Sequence, residues 1–137
     1  MDYKLELVIV PVADVDRAKA FYTEQCGFAL DVDHRAGEEF RVVQMTPPGS
    51  ECSITVLSPP VDSAPGSLQG LHLIVADIEL ARAEYTARGV AASDFYHFGE
   101  QGQTDGLHPG RGDYETYFSF RDPDGNGWVV QEVPSRA

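Results

Sequence analysis

The sequence predicts an α+β fold made of two pseudo-symmetric βαβββ modules. Three observations predict it. First, one stretch is used twice: residues 12–23, VADVDRAKAFYT, and residues 75–86, VADIELARAEYT, share Val, Ala, Asp, Ala, Ala, Tyr and Thr at a constant offset of 63 (76 − 13). Second, each copy follows a short apolar run rich in β-branched residues, Leu5–Val12 and Leu71–Val75, which reads as a strand. Third, each copy runs to a glycine, Gly27 or Gly89, the common stop of a helix. A pair of copies is too few for a solenoid, which needs about three. The expected organisation is therefore a single domain of two modules, 1–58 and 71–137, joined by a linker at 59–70.

Each element has a local reason. Asp14 and Asp77 stand where a side chain can accept from the free amides of a first helical turn, so both are expected as N-caps. Asp16 and Glu79 follow inside that turn, where the helix dipole favours negative charge. Alanines at 18, 20, 81 and 83 favour helix and allow close packing on a sheet. In module one, strands are expected at Phe28–His34, Phe40–Met45 and Cys52–Leu57, with Pro47-Pro48-Gly49 as a break. In module two, a strand is expected around Val90–Phe98 and another at Tyr117–Phe120. Between them Gly99–Asp113 is long, polar and glycine-rich, and is expected to be a mobile lid. Asp122-Pro-Asp-Gly-Asn is a strong turn signal, and Trp128–Val133 is the last strand.

Composition narrows the function. The chain has 137 residues, 42% hydrophobic, enough for one globular core. Its net charge of −12 argues against nucleic acid or anionic membrane as partners, because phosphate binding needs clustered Lys and Arg. No apolar run approaches a membrane span, and the N-terminus lacks a signal-peptide pattern, so the cytoplasm is the expected compartment. Cys26 and Cys52 are expected to be reduced and to pack rather than react. There is no phosphate loop, redox cysteine pair or serine-nucleophile elbow.

Several pieces together resemble the vicinal oxygen chelate superfamily, the group of glyoxalase I, bleomycin-resistance proteins and extradiol dioxygenases. They are Val10-Pro11-Val12-Ala13-Asp14, Phe21-Tyr22 before Cys26-Gly27-Phe28, the repeat in module two, and Asp122-Pro123-Asp124-Gly125-Asn126 before the last strand. The resemblance implies a mixed sheet curled into a cup that holds a small-molecule ligand, and a homodimer. It also implies a metal site with one ligand from the opening and one from the closing strand of each module. The matching positions here are Leu7, Gly70 and Val129, and the strand Cys52–Leu57 offers only Ser53 and Thr55. No cofactor is therefore expected. A divalent metal would need a displaced set, His72 and Gln131 joined by Glu132 if a bulge turned it inward.

His72 and Gln131 lie two residues beyond Gly70 and Val129, so alternation keeps them on the same face as those positions. Both are expected to line the ligand site, although a hydrogen-bonded core histidine is the plainer role for His72. Glu132 is expected on the opposite face or the rim, solvated or ion-paired. His34, His97 and His108 are expected at the surface, with His97 close enough to the long loop to reach a ligand. Arg41 is either a buried ion-pair partner or an anchor for an anionic ligand group. Tyr117 is expected among the aromatic residues of module two that offer stacking faces. Two functions follow from different classes. The first is a binding protein for an aromatic or cationic metabolite or antibiotic, using His72, Gln131, Arg41, His97 and Tyr117. The second is a glyoxalase-like, lyase-like or dioxygenase-like enzyme using His72 as base or as ligand of a displaced metal.

Overall fold

The computed structural model describes residues 1–136. These fall into two compact units. The first is Met1–Leu68 with the turn Asp122–Asn126; the second is Gln69–Arg121 with the chain from Gly127 onward.

The first unit contains β1 (Leu7–Ile9), α1 (Val15–Ala20), β2 (Ala29–Ala36), β3 (Phe40–Thr46) and β4 (Ser53–Ser58). Its sheet has the order β1-β4-β3-β2, with β1 parallel to β4 and the other pairs antiparallel. Asp14 caps α1 by accepting from the Arg17 amide, and the helix runs on as a π-helical turn, Phe21–Gln25. Ala18, Phe21 and Tyr22 are buried, as are Val43, Met45, Ile54 and Val56 of the sheet.

The turn Asp122–Asn126 holds this unit together. Asp122 Oδ1 accepts from the amides of Asp124, Gly125 and Asn126 at 2.9–3.0 Å. Its Oδ2 accepts from the Tyr22 hydroxyl at 2.7 Å and from Asn126 Nδ2 at 2.8 Å. Asn126 in turn donates to the Pro11 carbonyl and accepts from the Leu68 amide, and Asp124 accepts from the Ala13 amide and from Arg17. Gly66 passes so close that a Cβ there would lie 2.0 Å from the Asp124 carbonyl, at a φ of +82° that only glycine adopts freely.

The second unit contains β5 (Leu71–Val75), α2 (Ile78–Ala87), β6 (Tyr96–Gly99), β7 (Gly102–Asp105), β8 (Thr116–Arg121) and β9 (Gly127–Glu132). Its sheet has the order β5-β9-β8-β6-β7, with β5 parallel to β9. Asp77 caps α2 by accepting from the Glu79 and Leu80 amides. The Tyr85 ring meets the edges of Phe118 and Phe120 at 6.4 and 5.4 Å, so α2 covers the sheet face that carries them.

Two expectations are corrected here. The strand expected around Val90–Phe98 is confined to Tyr96–Gly99, and the segment expected as a lid is not an open loop. Residues 102–105 pair with β6 as a hairpin, which adds a strand to the module. Beyond them Arg111 and Tyr114 hold positive φ, 48° and 63°, a conformation that persists where the surroundings fix it. The fixing contacts are the Arg111 guanidinium on Glu132 and the Tyr114 amide on the Glu132 carbonyl at 2.8 Å.

Candidate functional site

The β5/β9/β8/β6 register divides the side chains of the second sheet into two faces. His72 pairs with Val129, Ile74 with Gln131, Gln131 with Tyr117 and Tyr117 with Tyr96. Directly paired residues share a face, and alternation adds Phe98 and Ser119 to it. This is the face turned away from α2. On it the Tyr96 and Tyr117 rings stack at 5.6 Å, and Phe98 meets them edge-on at 6.1 and 5.4 Å. Phe98 is 56% exposed and Ile74 40% exposed, so the aromatic platform is accessible within the unit. The Tyr96 hydroxyl and Ser119 Oγ are hydrogen-bonded at 2.6 Å, and the Tyr117 hydroxyl donates to the Tyr114 carbonyl at 2.7 Å.

His72 is exposed beside this platform. Its Nδ1 donates to the Gly70 carbonyl at 2.6 Å, which leaves Nε2 as the free acceptor of the neutral ring. The structure therefore brings His72, Gln131 and Tyr117 to one face. It does not bring His97 there. His97 pairs with Thr116 and lies on the opposite face, buried, with Nδ1 donating to the Gly106 carbonyl at 2.8 Å. The expectation of a surface histidine is corrected by that alternation. His108 is half-buried against His97 and contacts Glu115 instead of standing free in the loop.

Glu132 pairs with Val75 on the α2 side and is 1% exposed. Its carboxylate accepts from Arg111 Nε and Nη2 at 2.9 and 2.8 Å and from the Ile78 amide at 3.0 Å. The pairing of β9 with both neighbours runs without a bulge. So Glu132 cannot join His72 and Gln131, and the displaced metal set is not assembled. Among the described residues no group of three or more His, Cys, Asp or Glu converges on a point. His72 and Gln131 alone are fewer than the three or four protein donors that a divalent metal site usually draws on.

Arg111 also pairs with Glu79 at 2.8 Å. The first unit repeats the device. Arg41 contacts Asp16, the repeat partner of Glu79, and Asp33 at 3.0 Å. Of the two roles the sequence leaves open for Arg41, the structure shows the ion pair. Arg41 is 7% exposed, and the 280 Å³ pocket it borders carries four carboxylates, Asp14, Asp16, Glu38 and Glu39, against the two cations Arg35 and Arg41, a balance that disfavours an anion.

These pairs set a pH response. The hydrogen bonds from Arg111 hold the Glu132 carboxyl below its ordinary value, against the opposing effect of burial. Arg41 does the same for Asp33, well below the carboxylate range, and for Asp16. A depressed folded-state pKa contributes stability above the unfolded value, near 4 for these groups, and loses it as pH falls through the folded value. Urea midpoints are therefore expected to hold from neutral pH to about 5 and to fall steeply below about 4. Glu132→Gln should flatten that fall; an equally steep fall would show that Glu132 is not among its causes.

At the end of the sheet where β8 gives way to β9, a pocket of about 510 Å³ adjoins the platform, with Ser119 and Val129 in its lining. Sequence reasoning missed Ser119, although alternation from Tyr117 places it on this face; Tyr96 and Phe98 belong to the module-two aromatics of which it expects some to offer stacking faces. It also missed Arg111, whose loop position carries no pattern.

Comparison with known proteins places this geometry. The family model described as Glyoxalase/Bleomycin resistance protein/Dioxygenase superfamily matches residues 4–130. The uncharacterized protein YetH of Bacillus subtilis (strain 168) is 29% identical over 129 residues, 91% of this chain and 94% of its own. The solved structure of TnmS3, described as an antibiotic binding protein from Streptomyces sp. CB03234, is similar with a TM-score of 0.74. It is 31% identical, covering 96% of this chain and 97% of that one. A glyoxalase/bleomycin resistance protein from the same Streptomyces strain has a TM-score of 0.71 at 32% identity, covering 94% and 100%.

Proposed function

This chain belongs to the Glyoxalase/Bleomycin resistance protein/Dioxygenase superfamily, and from that premise we propose that it binds an aromatic small molecule on the platform of its second sheet without metal chemistry. The observation that carries the reading is the accessible stack of Tyr96, Tyr117 and Phe98 beside His72 and Gln131. Stacked rings offer a planar ligand an apolar, polarisable surface. His72 Nε2 and the Gln131 amide supply the few polar contacts that orient such a ligand. The similarity to TnmS3, whose description is an antibiotic binding protein, supports the same reading. The net charge of −12 favours a ligand with a basic group over an acidic one. A homodimer in the cytoplasm, implied by the family resemblance and the sequence, belongs to the proposal; a monomer mass by light scattering would remove the dimer from it.

The enzyme reading rests on His72 Nε2, which is exposed and able to accept a proton. One set of measurements separates the two. Calorimetry against a panel of aromatic and basic antibiotics is expected to find a saturable ligand. The hemithioacetal of methylglyoxal and glutathione is expected to show no turnover, and protein purified without a metal-affinity tag no stoichiometric Zn, Ni, Fe or Mn. One metal per chain, lost in His72→Ala, would establish the enzyme reading instead.

A further inference from the structure

We propose that the ligand of the platform is a planar aromatic cation with a protonated amine one or two bonds from the end of its ring system, and that Asp105 is the residue that selects it. The proposal rests on the reading that Tyr96, Tyr117 and Phe98 hold the ring. It adds which charge the ring carries and which side chain reads that charge.

Register is the first argument. Asp105 of β7 pairs directly with Tyr96 of β6, Tyr96 with Tyr117 of β8, and Tyr117 with Gln131 of β9. Directly paired residues share a face, with Cβ atoms about 5 Å apart. The Asp105 carboxylate therefore stands at the β7 rim of the aromatic platform, a short arm away from a ring stacked on Tyr96. Gln103 pairs with Phe98 and lies on the same face. The row from Gln131 to Asp105 crosses three interstrand steps, about 14 Å in all. That length suits a ring system of about three fused rings carrying one short arm.

Charge decides the class. A pocket of about 340 Å³ opens beside Tyr96, with Asp94, Phe95, Gln103 and Asp105 in its lining and no Lys, Arg or His side chain among the described residues that line it. Asp94 is paired with Arg82 at 3.7 Å. The Asp105 carboxylate and the Gln103 amide have no such partner among the described residues. An exposed carboxylate by itself is a hydrated surface group. The aromatic neighbour is what sets Asp105 apart. An ammonium placed between the two meets the carboxylate on one side and the negative face of the Tyr96 ring on the other. Gln103 Oε1 can accept another of its three N–H groups. A carboxylate on the ligand would meet Asp105 and the field of a −12 chain. A hydroxyl could donate to Asp105, but without the ionic attraction.

An anthracene series tests the proposal by fluorescence titration at neutral pH: 2-(aminomethyl)anthracene, 2-anthracenemethanol and 2-anthracenecarboxylate. The amine is expected to bind about fivefold more tightly than the alcohol, and the carboxylate most weakly. Asp105→Asn, at an exposed position, should erase the amine's advantage and leave the alcohol within about twofold of wild type. Asp94→Asn should keep the advantage, because Arg82 already engages that carboxylate. Tyr117→Ala should weaken all three. If the alcohol binds in a Tyr117-dependent way but the amine gains nothing, the role of Asp105 is wrong and the platform stands. An advantage that survives Asp105→Asn would overturn the proposal by placing selection in the charge of the whole chain, and preference for the carboxylate would overturn it outright. No binding of any of the three, or binding indifferent to Tyr117→Ala, would remove the platform reading and this proposal with it.

Discussion

Asp122→Ala is expected to lower stability by about 3–5 kcal/mol, among the largest effects of any single change in this chain. The carboxylate accepts five hydrogen bonds, from three backbone amides, from Asn126 Nδ2 and from the Tyr22 hydroxyl. It is 5% exposed, and Tyr22 and Asn126 are fully buried, so water does not replace what is lost. Each buried donor left unsatisfied costs about 1–3 kcal/mol, which is why the total exceeds that of a surface turn. Tyr22→Phe removes one of the five donors and should cost about 1–2 kcal/mol. Urea unfolding monitored by circular dichroism reads both. A loss under about 1 kcal/mol for Asp122→Ala would show that the turn is not the clasp of the first unit.

The second large effect is expected at Arg111. Arg111→Leu leaves the Glu132 carboxylate buried, with the Ile78 amide as its remaining hydrogen bond. Removing one partner of a buried pair costs about 3–5 kcal/mol. Arg111 is itself 34% exposed, and that partial solvation reduces the expected loss to about 2–4 kcal/mol. The double variant Arg111→Leu with Glu132→Leu should recover most of it, because no uncompensated charge remains. If the double variant were as unstable as the sum of the singles, the loss would come from packing and backbone strain at 108–114 rather than from charge.

Much of the fold is legible in the sequence, because its signals are local. The repeat placed both helices and their Asp14 and Asp77 caps, and the β-branched run Leu71–Val75 is the strand β5. Alternation from Val129 put Gln131 on the face of His72 and Glu132 on the other, as the register shows. What the sequence hides is long-range. Asp122-Pro-Asp-Gly-Asn reads as a turn, but its hydrogen bonds to Tyr22, Pro11 and Ala13 span 100 or more residues and leave no local pattern. Strand β7, Gly-Gln-Thr-Asp, is polar and does not alternate in hydrophobicity; pairing with β6 makes it a strand. Arg111 reaches Glu132 from a segment whose composition signals only flexibility. His97 was placed by its nearness to that segment, when one step of alternation from Tyr96 turns it to the opposite face.

The central claim is that ligand binding resides on the aromatic platform of the second sheet. Its most direct test is a calorimetric titration of wild type, Tyr117→Phe and Tyr117→Ala with the tightest-binding aromatic member of the antibiotic panel. Tyr117→Phe keeps the ring and should retain affinity within about threefold, while Tyr117→Ala should lose about tenfold or more with its thermal midpoint tracking that of Tyr117→Phe. Unchanged affinity in a folded Tyr117→Ala protein would contradict the claim and place binding elsewhere in the chain.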